Sequence, residues 1–126
     1  MQKDTITASL DSSFQLMHSQ TAVVETEDLS VKFTNVAEDS RCPVGVECIW
    51  QGQAKIELEI KRKDKEPENI TLTSLAGRDE LAITQVNDHF IRLLKVEPPR
   101  IKDVELKLSD YNITLIVSRN IENLSQ

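Results

Sequence analysis

The run from residue 54 to residue 61 constrains this chain more than any other stretch. Ala54, Ile56, Leu58 and Ile60 alternate with Lys55, Glu57, Glu59 and Lys61. A period of two puts the four apolar side chains on one face of an extended strand and the four charges on the other. A helix would scatter the same residues around its circumference. The chain therefore holds at least one strand with a dry face and a wet face, and it needs a second layer to cover the dry one.

Residues 111–118 repeat the pattern. Tyr111, Ile113, Leu115 and Val117 share a face, and Ile116 on the opposite face implies that both sides of this strand are partly covered. Shorter segments rich in β-branched or aromatic residues read as strands at 14–18, 22–26, 29–36, 69–73, 89–96 and 104–108. Within 29–36, Leu29, Val31 and Phe33 keep the period and Val36 falls out of phase. An extra residue near Thr34 or Asn35, as a β-bulge or the strand's end, would produce that slip. Turn formers lie at 11–13, 27–28, 61–68 and 77–79. Pro98 and Pro99 lack amide donors, so the strand that starts at His89 must stop there. Only 75–83 can hold a helical turn.

Closely spaced strands without a long amphipathic helix predict an all-β fold. The expectation is a two-sheet antiparallel β-sandwich, immunoglobulin-like or a related Greek key, of about seven or eight strands with at most a short helical turn. The 126 residues make one domain, too small for a core plus a separate catalytic module. Residues 1–12 read as a weakly ordered lead and 120–126 as a tail.

Cys42 and Cys48 flank five residues, Pro43, Val44, Gly45, Val46 and Glu47. A glycine between the cysteines lets so small a ring turn without forcing a β-branched residue to positive φ, and a disulfide is the natural reading. Closing it stabilises the fold by roughly 2 to 3 kcal/mol on the chain-entropy model. Such bonds persist outside the cytoplasm, which predicts an extracytoplasmic protein. Met1 to Asp4 lack the basic and then apolar pattern of an export signal, so the expectation is a chain that starts after a removed one. A metal site or a redox pair would need reduced thiols, with His18 or His89 recruited by the fold. Counting back from Ala54 by twos puts Gly52 and Trp50, the sole tryptophan, on the buried face, so the indole is expected to plug the core over the disulfide. An exposed Trp50 would instead mark a binding surface.

The string Asp39-Ser40-Arg41-Cys42-Pro43-Val44-Gly45-Val46-Glu47-Cys48-Ile49-Trp50-Gln51-Gly52-Gln53-Ala54 resembles a motif of small exported proteins and lipoproteins of prokaryotes that have no established function. The similarity extends to Phe90 through Pro98 and to Tyr111 through Leu115, and so covers much of the chain after Phe14. It implies export and a β-rich fold and supplies no activity to carry over. No lipobox cysteine is present.

Net charge is −6, with ten acids against four bases in residues 1–60 and eleven of each thereafter. The field repels phosphate backbones and anionic lipid, which argues against nucleic-acid and membrane-surface partners. No apolar run approaches the roughly 18 to 20 residues of a bilayer span. His18 and His89 have no nucleophile motif beside them and read as surface or edge histidines. Glu57 and Glu59 sit on a wet face beside lysines, which gives no reason for a raised pKa. Three glycines form no phosphate cradle, and Glu38, Asp39 and Glu47 match no calcium loop. Asn69, Asn112 and Asn123 open Asn-x-Ser/Thr triplets; for the two in strands, alternation explains the pattern as well as a glycan would. No catalytic residue, metal ligand or cofactor is assigned.

The leading expectation is a non-enzymatic exported binding or accessory module that presents Arg41, Pro43, Val44, Gly45, Val46, Glu47 and Trp50 to an unknown protein or small ligand. The rivals are a protease inhibitor offering the Cys42–Cys48 ring as bait, and a metal or redox protein using both cysteines.

Overall fold

The computed structural model describes residues 4–124. Nine strands form two stacked sheets: β1 (Thr5–Thr7), β2 (Phe14–Met17), β3 (Thr21–Val24), β4 (Leu29–Asp39), β5 (Ala54–Arg62), β6 (Glu68–Ser74), β7 (Ile83–Val86), β8 (His89–Glu97) and β9 (Asn112–Ser118). The first sheet runs β1-β3-β4-β5-β6 and the second β2-β9-β8-β7. All neighbours are antiparallel except β1 and β3, which pair in parallel. The protein is thus an all-β, two-sheet sandwich, with one mixed sheet in place of the purely antiparallel pair expected.

The alternation in β5 does what its period requires. Ala54, Ile56, Leu58 and Ile60 are buried, and they meet Phe33, Leu72, Leu16, Ile91, Leu93, Ile113, Leu115 and Val117 in one core between the sheets. Along β4 the register passes from Phe33↔Leu58 to Asn35↔Glu57, which leaves Thr34 as the extra residue; a second slip lies between Val36 and Glu38. The bulge at Thr34 is held by its hydroxyl, which donates to the Glu57 carbonyl at 3.0 Å. Ile116 is fully buried outside the main core. Residues 121–124 cover that side of the second sheet with a 3₁₀ turn that buries Leu124.

Several boundaries differ from the sequence reading. Residues 5–7, placed in a loose lead, form β1, and the Ala8 amide bonds the Val23 carbonyl at 2.9 Å. Most of the expected tail at 120–126 is the 3₁₀ turn just described, and residues 125 and 126, like 1–3, lie outside the described residues. The strand expected at 104–108 is absent: 104–107 are irregular and Leu108–Asp110 is a 3₁₀ turn. Val104, Leu106 and Leu108 alternate as a strand would, but Asp103 at φ 63° turns the chain just before them and no strand among the described residues pairs with the segment. β7 was not foreseen, and the helical turn read at 75–83 shortens to Asp79–Ala82. β8 ends at Glu97, immediately before the prolines. No helix among the described residues is long and apolar enough to cross a membrane.

Candidate functional site

One end of the sandwich is built by the connection between β4 and β5. Beyond the last strand pair, Asp39↔Ala54, the stem continues: the Ser40 amide bonds the Gln53 carbonyl at 2.8 Å, and the Cys42 amide bonds the Gln51 carbonyl at 2.9 Å. Gly52 makes this closeness possible. Its φ is +73°, and a Cβ there would lie 1.8 Å from the Ser40 carbonyl oxygen. The ring closes through a Cys42–Cys48 disulfide with Cα atoms 6.0 Å apart. Inside it the Val46 amide bonds the Pro43 carbonyl at 3.2 Å, and Gly45, at φ +82°, holds the positive-φ corner of that turn.

The loop is tied to the second sheet by Arg41. Its guanidinium grips Asp39 twice, Nε to Oδ1 and Nη2 to Oδ2, both at 2.8 Å. It also donates to the carbonyls of Val96 and Pro98, both at 3.0 Å. Tyr111 completes the knot, its hydroxyl donating to Asp39 Oδ2 at 2.6 Å, while Arg100 Nη1 reaches the Arg41 carbonyl at 2.7 Å. Burial alone would raise the Asp39 carboxyl, but the bonds from Arg41 and Tyr111 outweigh it and hold the group below its usual range. Burial and the hydrogen bond to that carboxylate push Tyr111 up to about 12. A second tie is peptide to peptide: the Val44 amide bonds the Arg100 carbonyl at 2.8 Å, and Val44 bridges Ile101. Arg41, expected on the recognition surface, is therefore an anchor beneath it.

Trp50 is the main correction. It is 82% exposed, and its neighbour Ile49 is 94% exposed; the indole does not plug the core. Alternation cannot be carried back from Ala54 because Gly52 turns the chain out of the extended conformation. Of the eight large apolar side chains exposed on the described surface, six lie in two loops, Val44, Val46, Ile49 and Trp50 in one and Ile101 and Val104 in the other. The Val44–Ile101 bridge joins these loops, and a groove of about 380 Å³ runs between Pro43 and residues 100–105. Val44 and Val46 belong to this apolar end. Ile49, Ile101 and Val104 were not singled out in the sequence, while Asp39 was weighed there only as a calcium ligand and Tyr111 only as a strand residue. Two adjacent apolar residues between Cys48 and Gly52 were the available signal for Ile49, since neighbours in an extended chain cannot both face one core.

Both histidines hold structural bonds. His89 is buried, against the expectation of a surface or edge residue. It sits at the opposite end of the sandwich with Nε2 2.9 Å from Glu27 Oε1. Hydrogen bonding with His89, then with Arg119, keeps the Glu27 carboxyl below its ordinary value. His18 Nε2 lies 3.0 Å from the Thr34 carbonyl, and its ring meets Phe33 edge-on at 5.8 Å. Among the described residues no three His, Cys, Asp or Glu side chains gather as metal ligands, and no cysteine is free.

The chain matches no family model, no curated protein and no solved structure.

Proposed function

We propose that this protein is an extracytoplasmic, non-enzymatic binding module whose disulfide-closed loop end docks into an apolar pocket of a partner protein. The observation that carries the reading is the exposure of Ile49 and Trp50 on an immobilised loop. Within residues 39–54, Asp39 and Arg41 knot the loop to β8, the cysteines close it, Gly45 and Gly52 take conformations other residues resist, and Ala54 is buried in the core. Ile49 and Trp50 contribute nothing comparable to the fold. Large apolar side chains left in water beside a rigid turn are what an interface anchor looks like before its partner arrives. Each gains roughly 1.5 to 3 kcal/mol when a pocket buries it, and a loop fixed in advance loses little entropy on docking.

The partner is argued to be a protein because these side chains project outward, whereas small-molecule sites are concave. Export rests on the disulfide and on the likeness of the 39–54 string to exported proteins. The geometry favours docking over protease inhibition, since Pro43 to Val46 form a hydrogen-bonded turn and present no extended stretch of bait. A metal or redox role would require the disulfide to open first.

A photo-crosslinking residue placed at Ile49 in cells, with one at exposed Leu81 as control, tests the reading. A discrete adduct at Ile49 that is absent at Leu81 and lost with Trp50→Ala is expected. Identical labelling from the two positions would sink it.

A further inference from the structure

A second surface, far in character from the apolar loop, lies on the outer face of the first sheet. A depression of about 320 Å³ is lined by Thr34 and Asn35 of β4, Glu57 of β5 and Asn69, Ile70 and Thr71 of β6. Strand register brings these residues together. Glu57 is the cross-strand partner of Asn35 on one side and of Thr71 on the other, and Asn69 pairs with Glu59 one step along the same face. The bulge gathers more at this point than a regular strand could: the extra residue sets the Thr34 and Asn35 side chains next to one another beside Glu57.

We propose that this depression binds a neutral saccharide. Asn35 Nδ2 donates to Glu57 Oε1 at 2.7 Å, which fixes the carboxylate. The other carboxylate oxygen, the Asn35 carbonyl oxygen, the Asn69 amide and the Thr71 hydroxyl hold no hydrogen bond among the described contacts. They form a mixed set of donors and acceptors around one charge. A sugar hydroxyl both donates and accepts, so a ring bearing several can satisfy such a set at once. An anion finds no cation here to pair with. A calcium ion takes six to eight oxygens, typically with several carboxylates among them, and only one carboxylate lines the site. The volume sits at the lower end for ligand sites, about 300 to 1,000 Å³, which suits a single sugar ring.

The test is an amide-resolved NMR titration of the full chain with glucose, galactose, mannose and N-acetylglucosamine in turn. At least one should give saturable shifts confined to Thr34, Asn35, Glu57 and residues 69–71, with a Kd on the order of 1 mM. Asn35→Ala should raise that Kd by about tenfold, and Glu57→Gln, which keeps shape and removes the charge-assisted acceptor, should weaken binding with the spectrum otherwise unchanged. The proposal is overturned if none of the four sugars approaches saturation by about 50 mM, if the shifts gather at the cysteine loop, or if calcium chloride reproduces them at lower concentration.

Discussion

At the residue scale the protein depends on a few polar contacts that carry more than their size suggests. Asp39 is nearly buried and charged, and Arg41 with Tyr111 makes that tolerable. Removing a partner from such a group leaves an uncompensated charge, so Arg41→Ala should destabilise by about 3 kcal/mol. Arg41→Lys should rescue little, because an ammonium cannot make the two-pronged contact. Tyr111→Phe, which deletes a single bond to a charged group, should cost about 1.5 kcal/mol by denaturant unfolding. The pH profile follows from the same groups. Asp39 and Glu27 lie below their ordinary values of 3.8 and 4.5. Their contribution is complete above those values and disappears as pH falls through the lower native ones, so the thermal midpoint should drop as the solution is acidified below pH 4.5. Tyr111 works at the other limit. Its native pKa is raised from 10.0 to about 12, so stability is lost as pH climbs across that interval, and Tyr111→Phe should flatten the alkaline limb. A midpoint that stays level as the solution is taken from pH 4.5 to well below pH 3.8 would contradict the assignment of Asp39 and Glu27.

At the element scale the loop is a stem, a ring and an anchor, and each can be removed separately. The two glycines make a matched pair. Both have positive φ, but a Cβ at Gly45 meets open space, while one at Gly52 strikes the Ser40 carbonyl. Gly45→Ala should cost about 1 kcal/mol, and Gly52→Ala about 2 kcal/mol more, because the backbone of the stem must also move. Replacing both cysteines with alanine should cost about 2 kcal/mol and leave the sandwich folded, since the core holds no atom of the ring. What was legible beforehand divides along the same line. β5 and the bulge in β4 could be read because burial on one face writes a period of two into the sequence. The end of β8 could be read because proline cannot donate. β1 and β7 were missed because strands of three or four residues leave no period to read, and 104–108 was over-read because Val104, Leu106 and Leu108 alternate in a segment that pairs with no strand among the described residues. Trp50 was misplaced for a related reason: alternation holds only while the chain stays extended, and Gly52 ends it. The anchor was invisible because Tyr111 reaches Asp39 and Arg41 only once the two sheets have stacked, across 72 residues of sequence.

At the scale of the whole molecule, the two ends of the sandwich differ in chemistry. The far end is polar, with Glu27 gripped by His89 and Arg119. The loop end concentrates six of the eight large apolar side chains exposed among the described residues, on a chain whose net charge of −6 otherwise keeps it well solvated. A rigid apolar projection on an acidic body would dock by burial at its tip, with charge steering the approach from the flanks. Trp50→Ala should accordingly leave unfolding free energy within about 0.5 kcal/mol of the parent, because the indole packs against little in the isolated chain. Since Trp50 is the only tryptophan, its fluorescence reports on this end alone, and acrylamide quenching of the native protein is the most direct test. The account predicts quenching close to that of the denatured chain, with little change when the protein unfolds. A native tryptophan shielded from acrylamide and released only on unfolding would mean that the indole packs into the fold, and the docking surface would lose its anchor.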